Sequence, residues 1–191
     1  MSMLCGGVIN RGSIATLRQV LGRSSLLPNV LVVGGDVNAR ESVAHLLHSA
    51  GSHERGAFTV LRCRKGSQGP RGELLHLFLA LTRNAHNAGL RKLPLFSGGT
   101  LFIDEIEHMD LQAQRLCLEF LKQLQRKKNE TPCEVRLRVV AGTNRDISEV
   151  TARGLLIPGL LDLLDKVRVE LDEGLSEGIQ SLMPKRALAG A

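Results

Sequence analysis

Short apolar runs and longer stretches of helical periodicity take turns along this chain. From Thr100 to Ile103 four consecutive residues are β-branched or large and apolar, the pattern of a strand covered on both faces of a parallel sheet. A second β-branched run, VRLRVVAGTN from Val135 to Asn144, ends in Thr143 and Asn144. Between the two, Ala113, Cys117, Phe120, Leu121 and Leu124 recur at steps of three and four. That stripe predicts a helix from Asp110 to about Lys127, with Asp110 capping its first turn and the apolar face packed on the sheet. Nearer the amino terminus, Ser13 is a plausible N-cap and Ile14, Leu17 and Leu21 share one face, predicting a short helix over Arg11 to Leu21. Gly72 to Leu90 is an apolar helix candidate, and from Asp172 onward the pattern weakens to a loose tail.

The chemistry concentrates at the end of the first run. Residues 98–106 read GGTLFIDEI, so Asp104 and Glu105 sit at the carboxyl end of the predicted strand. In open α/β sheets ligands bind at that edge, and a carboxylate there can hold Mg²⁺ while its neighbour orients a water for attack on a phosphate. This is the Walker B pattern of a P-loop nucleotidase. The same string also ends ordinary strands at polar turns, so its weight comes from what surrounds it.

GGTLFIDEI is followed by LQAQRLCLEFL from Leu111 to Leu121 and by AGTNRDI from Ala141 to Ile147. In this order and spacing the chain resembles the AAA+ domain of bacterial sigma-54-dependent transcription activators, whose members carry strings like GGTLFLDEI, LQAKLLRVL and ATNRDL. Farther upstream, NVLVVGGDVNARESVA from Asn29 to Ala44 is similar to the family's strand, P-loop and helix, usually something like TVLITGESGTGKELVA. Phe58 to Cys63, FTVLRC, matches the next strand, and RGSIATLRQVL looks like the family's leading helix. The likeness spans Arg11 to about Leu171.

The resemblance implies a nucleotide site with Gly34, Gly35, Asn38, Arg40 and Glu41 along the phosphates, Asp104 on Mg²⁺, Glu105 as catalytic carboxylate and Asn144 as sensor of the terminal phosphate. Departures from the pattern imply that this site is idle. Val37 and Ala39 replace two loop glycines, and Arg40 stands where the family has Lys. A β-branched residue disfavours the left-handed backbone expected of such a loop, Asp36 would bring negative charge toward the phosphates, and a planar guanidinium does not reproduce an ammonium. The Asn that pairs with the catalytic Glu in the family is replaced by Arg62, expected to pair with Glu105 instead. Gly154 to Leu164, where arginine fingers belong, contains no arginine. GAFT at Gly56 to Thr59 falls at the start of a strand, outside the insertion that grips sigma-54, and is read as chance. Only twenty residues follow Leu171, too few for the helical lid.

Composition narrows the classes further. The chain has 191 residues, 43% of them hydrophobic, enough for one domain with a sizeable core. No run reaches the length of a membrane span and no export signal is present, so a cytoplasmic protein with no membrane partner is expected. Cys5, Cys63, Cys117 and Cys133 are scattered without a CxxC pair, which indicates neither zinc nor a disulfide framework. The histidines, His45, His48, His53, His76, His86 and His108, lack companion ligands at metal spacing. Trp and Tyr are absent, which argues against stacking platforms for single-stranded nucleic acid. The net charge of +6 gathers at Arg62 to Lys65 and Arg126 to Lys128, where solvated loops and a helix end explain it and direct DNA binding is not expected.

The expected fold is α/β, a P-loop NTPase (AAA+) core built as a mostly parallel three-layer sandwich with the lid subdomain missing. It divides into a core over 1–171 and a tail over 172–191. The leading expectation is a degenerate sigma-54-activator-like protein acting in bacterial transcription regulation through protein contacts. ATP and Mg²⁺ binding would be weak or absent, the partners an AAA+ activator, sigma-54 or related regulators, and homo- or hetero-oligomers are possible. Two alternatives stay open: a slow ATPase or subunit of a mixed AAA+ ring, and an adaptor or anti-activator that uses the fold as a scaffold. Fold does not fix function.

Overall fold

Val30 to Val33 are all β-branched or Leu, and they form the strand around which the sheet is built. The computed structural model of the chain describes residues 7–9, 28–50, 56–64, 69–83, 89, 92–130 and 135–171. Six strands pair in one sheet: β1 (Gly7–Ile9), β2 (Val30–Gly34), β3 (Phe58–Arg62), β4 (Ser97–Asp104), β5 (Arg136–Thr143) and β6 (Val167–Leu171), in the order β1-β6-β2-β5-β4-β3. Among the described residues every pairing is parallel, in keeping with the expected mostly parallel sheet. Strand β1 has three residues, too short to announce itself by periodicity. The helix expected over Arg11 to Leu21 and the tail over 172–191 lie outside the described residues.

Helices cover both faces. α1 (Val37–Ser49) packs Ala39, Val43, Ala44 and Leu47 on Val30, Val32, Phe102, Val140 and Val169. On the opposite face, α2 (Gly69–Arg83), α3 (Leu111–Glu130), α4 (Ile147–Ala152) and α5 (Pro158–Leu164) bury Leu74, Cys117, Phe120, Val150 and Leu160 against Leu31, Leu101, Ile103, Leu137 and Val139. Neighbouring residues of β2, β4 and β5 thus point to alternate faces, and both faces are dry. This is why residues 30–33, 101–103 and 139–141 read as unbroken apolar runs. The parallel α/β sandwich with helices on both faces agrees with the fold expected from the sequence.

Three local expectations take physical form here. Asp110 accepts from Ala113 N at 2.8 Å, capping α3 where the sequence placed the cap. The apolar stretch from Gly72 is helical over Gly69–Arg83, and most of the remaining predicted span up to Leu90 lies outside the described residues. Gly56 of the GAFT string lies so close to β4 that a Cβ there would meet the Gly98 carbonyl carbon at 2.3 Å. That glycine is therefore explained by strand packing.

One polar side chain ties the helical layer together. Gln114, buried on α3, donates through Nε2 to Met109 O at 2.9 Å and to Leu155 O at 2.8 Å, and its Oε1 accepts from Ile157 N at 2.9 Å. The loop entering α5 is thereby held to α3 by a single amide.

Candidate functional site

β2, β4 and β5 end side by side at the carboxyl edge of the sheet, and the loop after β2 turns there into α1. Gly34 and Gly35 take positive φ, +85° and +63°, conformations that a side chain would strain. The loop ends at once: Asp36 is the N-cap of α1 and accepts from Ala39 N at 2.7 Å. Val37 is consequently the first helical residue, where a β-branched side chain meets no left-handed requirement. The expected conflict at Val37 does not arise, because the loop is shorter than the family pattern suggests. Asp36 likewise turns its carboxylate onto the helix's own N–H groups, which at a helix start otherwise favour external anions.

Arg40, one turn into α1, reaches across to the end of β4. Its Nε donates to Asp104 Oδ1 at 2.7 Å and its Nη2 to Asp104 Oδ2 at 3.2 Å, while Nη1 donates to Gly35 O at 2.7 Å and lies 3.4 Å from Gly34 O. Both side chains are 1% exposed. This is the paired fork geometry of guanidinium and carboxylate, in which each charge satisfies the other after both have left water. Two features result. Both Asp104 oxygens are engaged within the chain, and the loop directs two carbonyls inward toward a cation.

The remaining expected site residues are distributed around this pair. Glu105 is half-buried and takes φ 56°, the one non-glycine residue with positive φ among the described residues, a conformation that costs a non-glycine residue about 1–3 kcal/mol. Asn38 is exposed on the first turn of α1. Glu41 bonds Arg62 Nη2 at 2.5 Å, so the expected Arg62 to Glu105 pair is not formed. α1 lays Glu41 against the end of β3, and Arg62 takes that nearer carboxylate. Asn144, exposed just past β5, lines a neighbouring cavity of about 810 Å³ with Val33, Gly34, Arg145, Arg168 and Glu170. Neither Arg40 nor Asp104 lines it.

Sequence reasoning passed over two residues here. Gly142 lies in β5 beside Asp104, where a glycine inside a strand signals close approach of another group. Glu107, buried in the turn after β4, has neither carboxylate oxygen hydrogen-bonded. Cys63, at the end of β3, is buried, and burial together with nearby Cys117, Asp104, Glu107 and Glu105 pushes its thiol well above the usual range. Among the described residues no group of His, Cys, Asp and Glu has the arrangement of a metal site.

The profile of the Sigma-54 interaction domain matches residues 10–170. The chain belongs to that family. Sigma-54 interaction domain relatives include the anaerobic nitric oxide reductase transcription regulator NorR of Aeromonas hydrophila, 33% identical over 141 residues, covering 71% of this chain and 27% of NorR. The Psp operon transcriptional activator of Escherichia coli K12 is 27% identical over 79% of this chain and 47% of its own length. The chain therefore spans between about a quarter and a half of these two relatives. Among solved structures, NtrX of Brucella abortus in complex with ATP superimposes with a TM-score of 0.56 at 20% identity, covering 87% of this chain and 38% of NtrX. At that identity the match establishes the fold alone, which agrees with the parallel α/β sheet described above.

Proposed function

We propose that this sigma-54-type AAA+ domain acts in bacterial transcription regulation, in the cytoplasm, through protein contacts, and that its ATP binding and hydrolysis are weak or absent. The observation that carries this reading is the sealed Arg40–Asp104 pair. Asp104, in the Walker B position, would have to leave a buried guanidinium to coordinate Mg²⁺, stranding one charge or the other in a dry site. The loop's inward carbonyls repel a phosphate chain, and Asp36 caps the helix start that would otherwise receive one. The residues present therefore do not fit a nucleotide with its Mg²⁺.

Sigma-54 or a complete AAA+ activator is the expected partner, in a homo- or hetero-oligomer, with the core over 1–171 as the interacting unit. Direct DNA contact is not proposed. Arg62 is engaged by Glu41 and Arg126 by Glu130 at 3.0 Å, so members of both basic clusters are partly neutralised. No described helix is long and apolar enough to cross a membrane.

Calorimetric titration of the chain with ATP and with a non-hydrolysable analogue, each in the presence of Mg²⁺, tests the nucleotide clause. No heat of binding is expected up to millimolar ligand. Micromolar affinity, worth roughly 8 kcal/mol, would overturn it. Capture of purified sigma-54 or of an intact activator by the immobilised chain tests the partner clause, and failure with both would overturn that one.

A further inference from the structure

Gly142 occupies the interior of β5, a strand otherwise rich in buried apolar and β-branched residues, where glycine is a poor choice on intrinsic grounds. Its backbone does not demand it. Among the described residues the glycines with positive φ are Gly34, Gly35, Gly98 and Gly154, and Gly142 is not one of them. Space does demand it. A Cβ at this position would lie 2.4 Å from Asp104 Oδ1, 3.2 Å from Arg40 Cδ and 3.2 Å from Phe102 Cε2. The first distance is impossible without displacing the carboxylate, and the second and third are tighter than ordinary contacts.

We propose that Gly142 is a positioning residue that admits the Arg40 guanidinium to Asp104, completing an internal latch among three neighbouring chain segments. The inference rests on the reading of this site given above and adds what builds and holds it. Arg40 joins the β2 loop, through the Gly35 carbonyl, to the end of β4, through Asp104. β5 contributes only the missing side chain that lets the two charges meet. The carboxyl edge of the sheet is thereby fixed by a cation belonging to the chain itself, and its arrangement does not depend on any ligand.

The test uses no nucleotide, so its failure is distinguishable from failure of the ATP titration. Thermal midpoints are measured for Gly142→Ala in the wild-type chain and in a background carrying Arg40→Met and Asp104→Ala. In the wild type the added methyl group separates the buried charges, and the midpoint should fall by roughly 10 °C. In the background the carboxylate is gone, alanine suits a strand better than glycine, and the midpoint should stay level or rise. Equal losses in both backgrounds would mean that the methyl group clashes with something else, and the proposal fails. Should the background variant not fold, the Arg40 Nε–H resonance decides. In the wild type, where it is buried on Asp104, it should exchange slowly, and in Gly142→Ala that protection should vanish. Retained protection overturns the proposal.

Discussion

Replacing Arg40 by Met keeps an unbranched chain of similar reach and removes the charge. Asp104, 1% exposed, would then hold a carboxylate that has lost donors at 2.7 and 3.2 Å, and the Gly35 carbonyl would lose its donor at 2.7 Å. Breaking a buried ion pair by removing one partner costs about 3–5 kcal/mol, and an unsatisfied carbonyl adds about 1 kcal/mol. Arg40→Met is therefore expected to lose about 4–6 kcal/mol, a large share of the roughly 5–15 kcal/mol that a domain has. Removing both charges, as Arg40→Met with Asp104→Leu, exchanges the pair for apolar contacts and should return to within about 2 kcal/mol of the wild type. Urea denaturation followed by far-ultraviolet circular dichroism measures all these values, and unchanged slopes would confirm that stability alone has moved. A single-mutant loss below about 1 kcal/mol, or a double mutant whose loss equals the sum of the two singles, would refute the reasoning. Either result would mean that the two charges do not depend on each other.

Three further outcomes can be checked on the same chain. Gln114→Ala strands the Met109 and Leu155 carbonyls and the Ile157 N–H, and should cost about 3–5 kcal/mol in the same urea titration; a loss under about 1 kcal/mol would show that the loop before α5 is held by other contacts. Glu107→Met replaces a buried carboxylate with no hydrogen bond by an apolar group of similar shape, and should stabilise by about 1–3 kcal/mol; destabilisation would reveal a partner for that carboxylate. His48, whose Nδ1 lies 3.0 Å from Thr100 Oγ1, has its pKa held below the ordinary 6.5 by burial first, then by His45 and Arg138. The unfolded chain thus takes up the proton at a higher pH than the folded one, so the contribution is intact above 6.5 and is lost as pH falls toward the folded value. His48→Gln should flatten stability between about pH 7 and pH 5, and an unchanged slope would place that pH dependence elsewhere.

Much of the architecture was legible because each strand and its following helix carry their own periodicity. Thr100 to Ile103 read as a doubly covered strand and lie in β4, and the stripe from Ala113 to Leu124 read as a packed helix face and lies in α3. Both depend only on neighbours along the chain. The site was less legible because it depends on approach between elements. Arg62 meets Glu41 because of how α1 crosses the end of β3, and nothing in the spacing of those residues decides between Glu41 and Glu105. Val37 differs from expectation for a related reason: where the loop stops and the helix starts is set by the Asp36 cap, a local signal that the family pattern does not carry. Arg40 was recognised as a departure, but its bond to Asp104 needed the distance between two chain segments 64 residues apart.

The order of strands also decides when this chain can fold. β2, at the middle of the sheet, is flanked by β6 and β5, with Val30 opposite Val167 on one side and Val140 on the other. β1 pairs with β6 as well, Gly7 opposite Val167. On the ribosome, the first strands therefore have no partner until nearly the whole core has been made. Long-range parallel pairing of this kind is slow and leaves strand edges open meanwhile. A nascent chain halted before Val167 would expose the flank of β2, an apolar ribbon with unpaired N–H and C=O groups, to whatever chaperone or neighbouring chain arrived first.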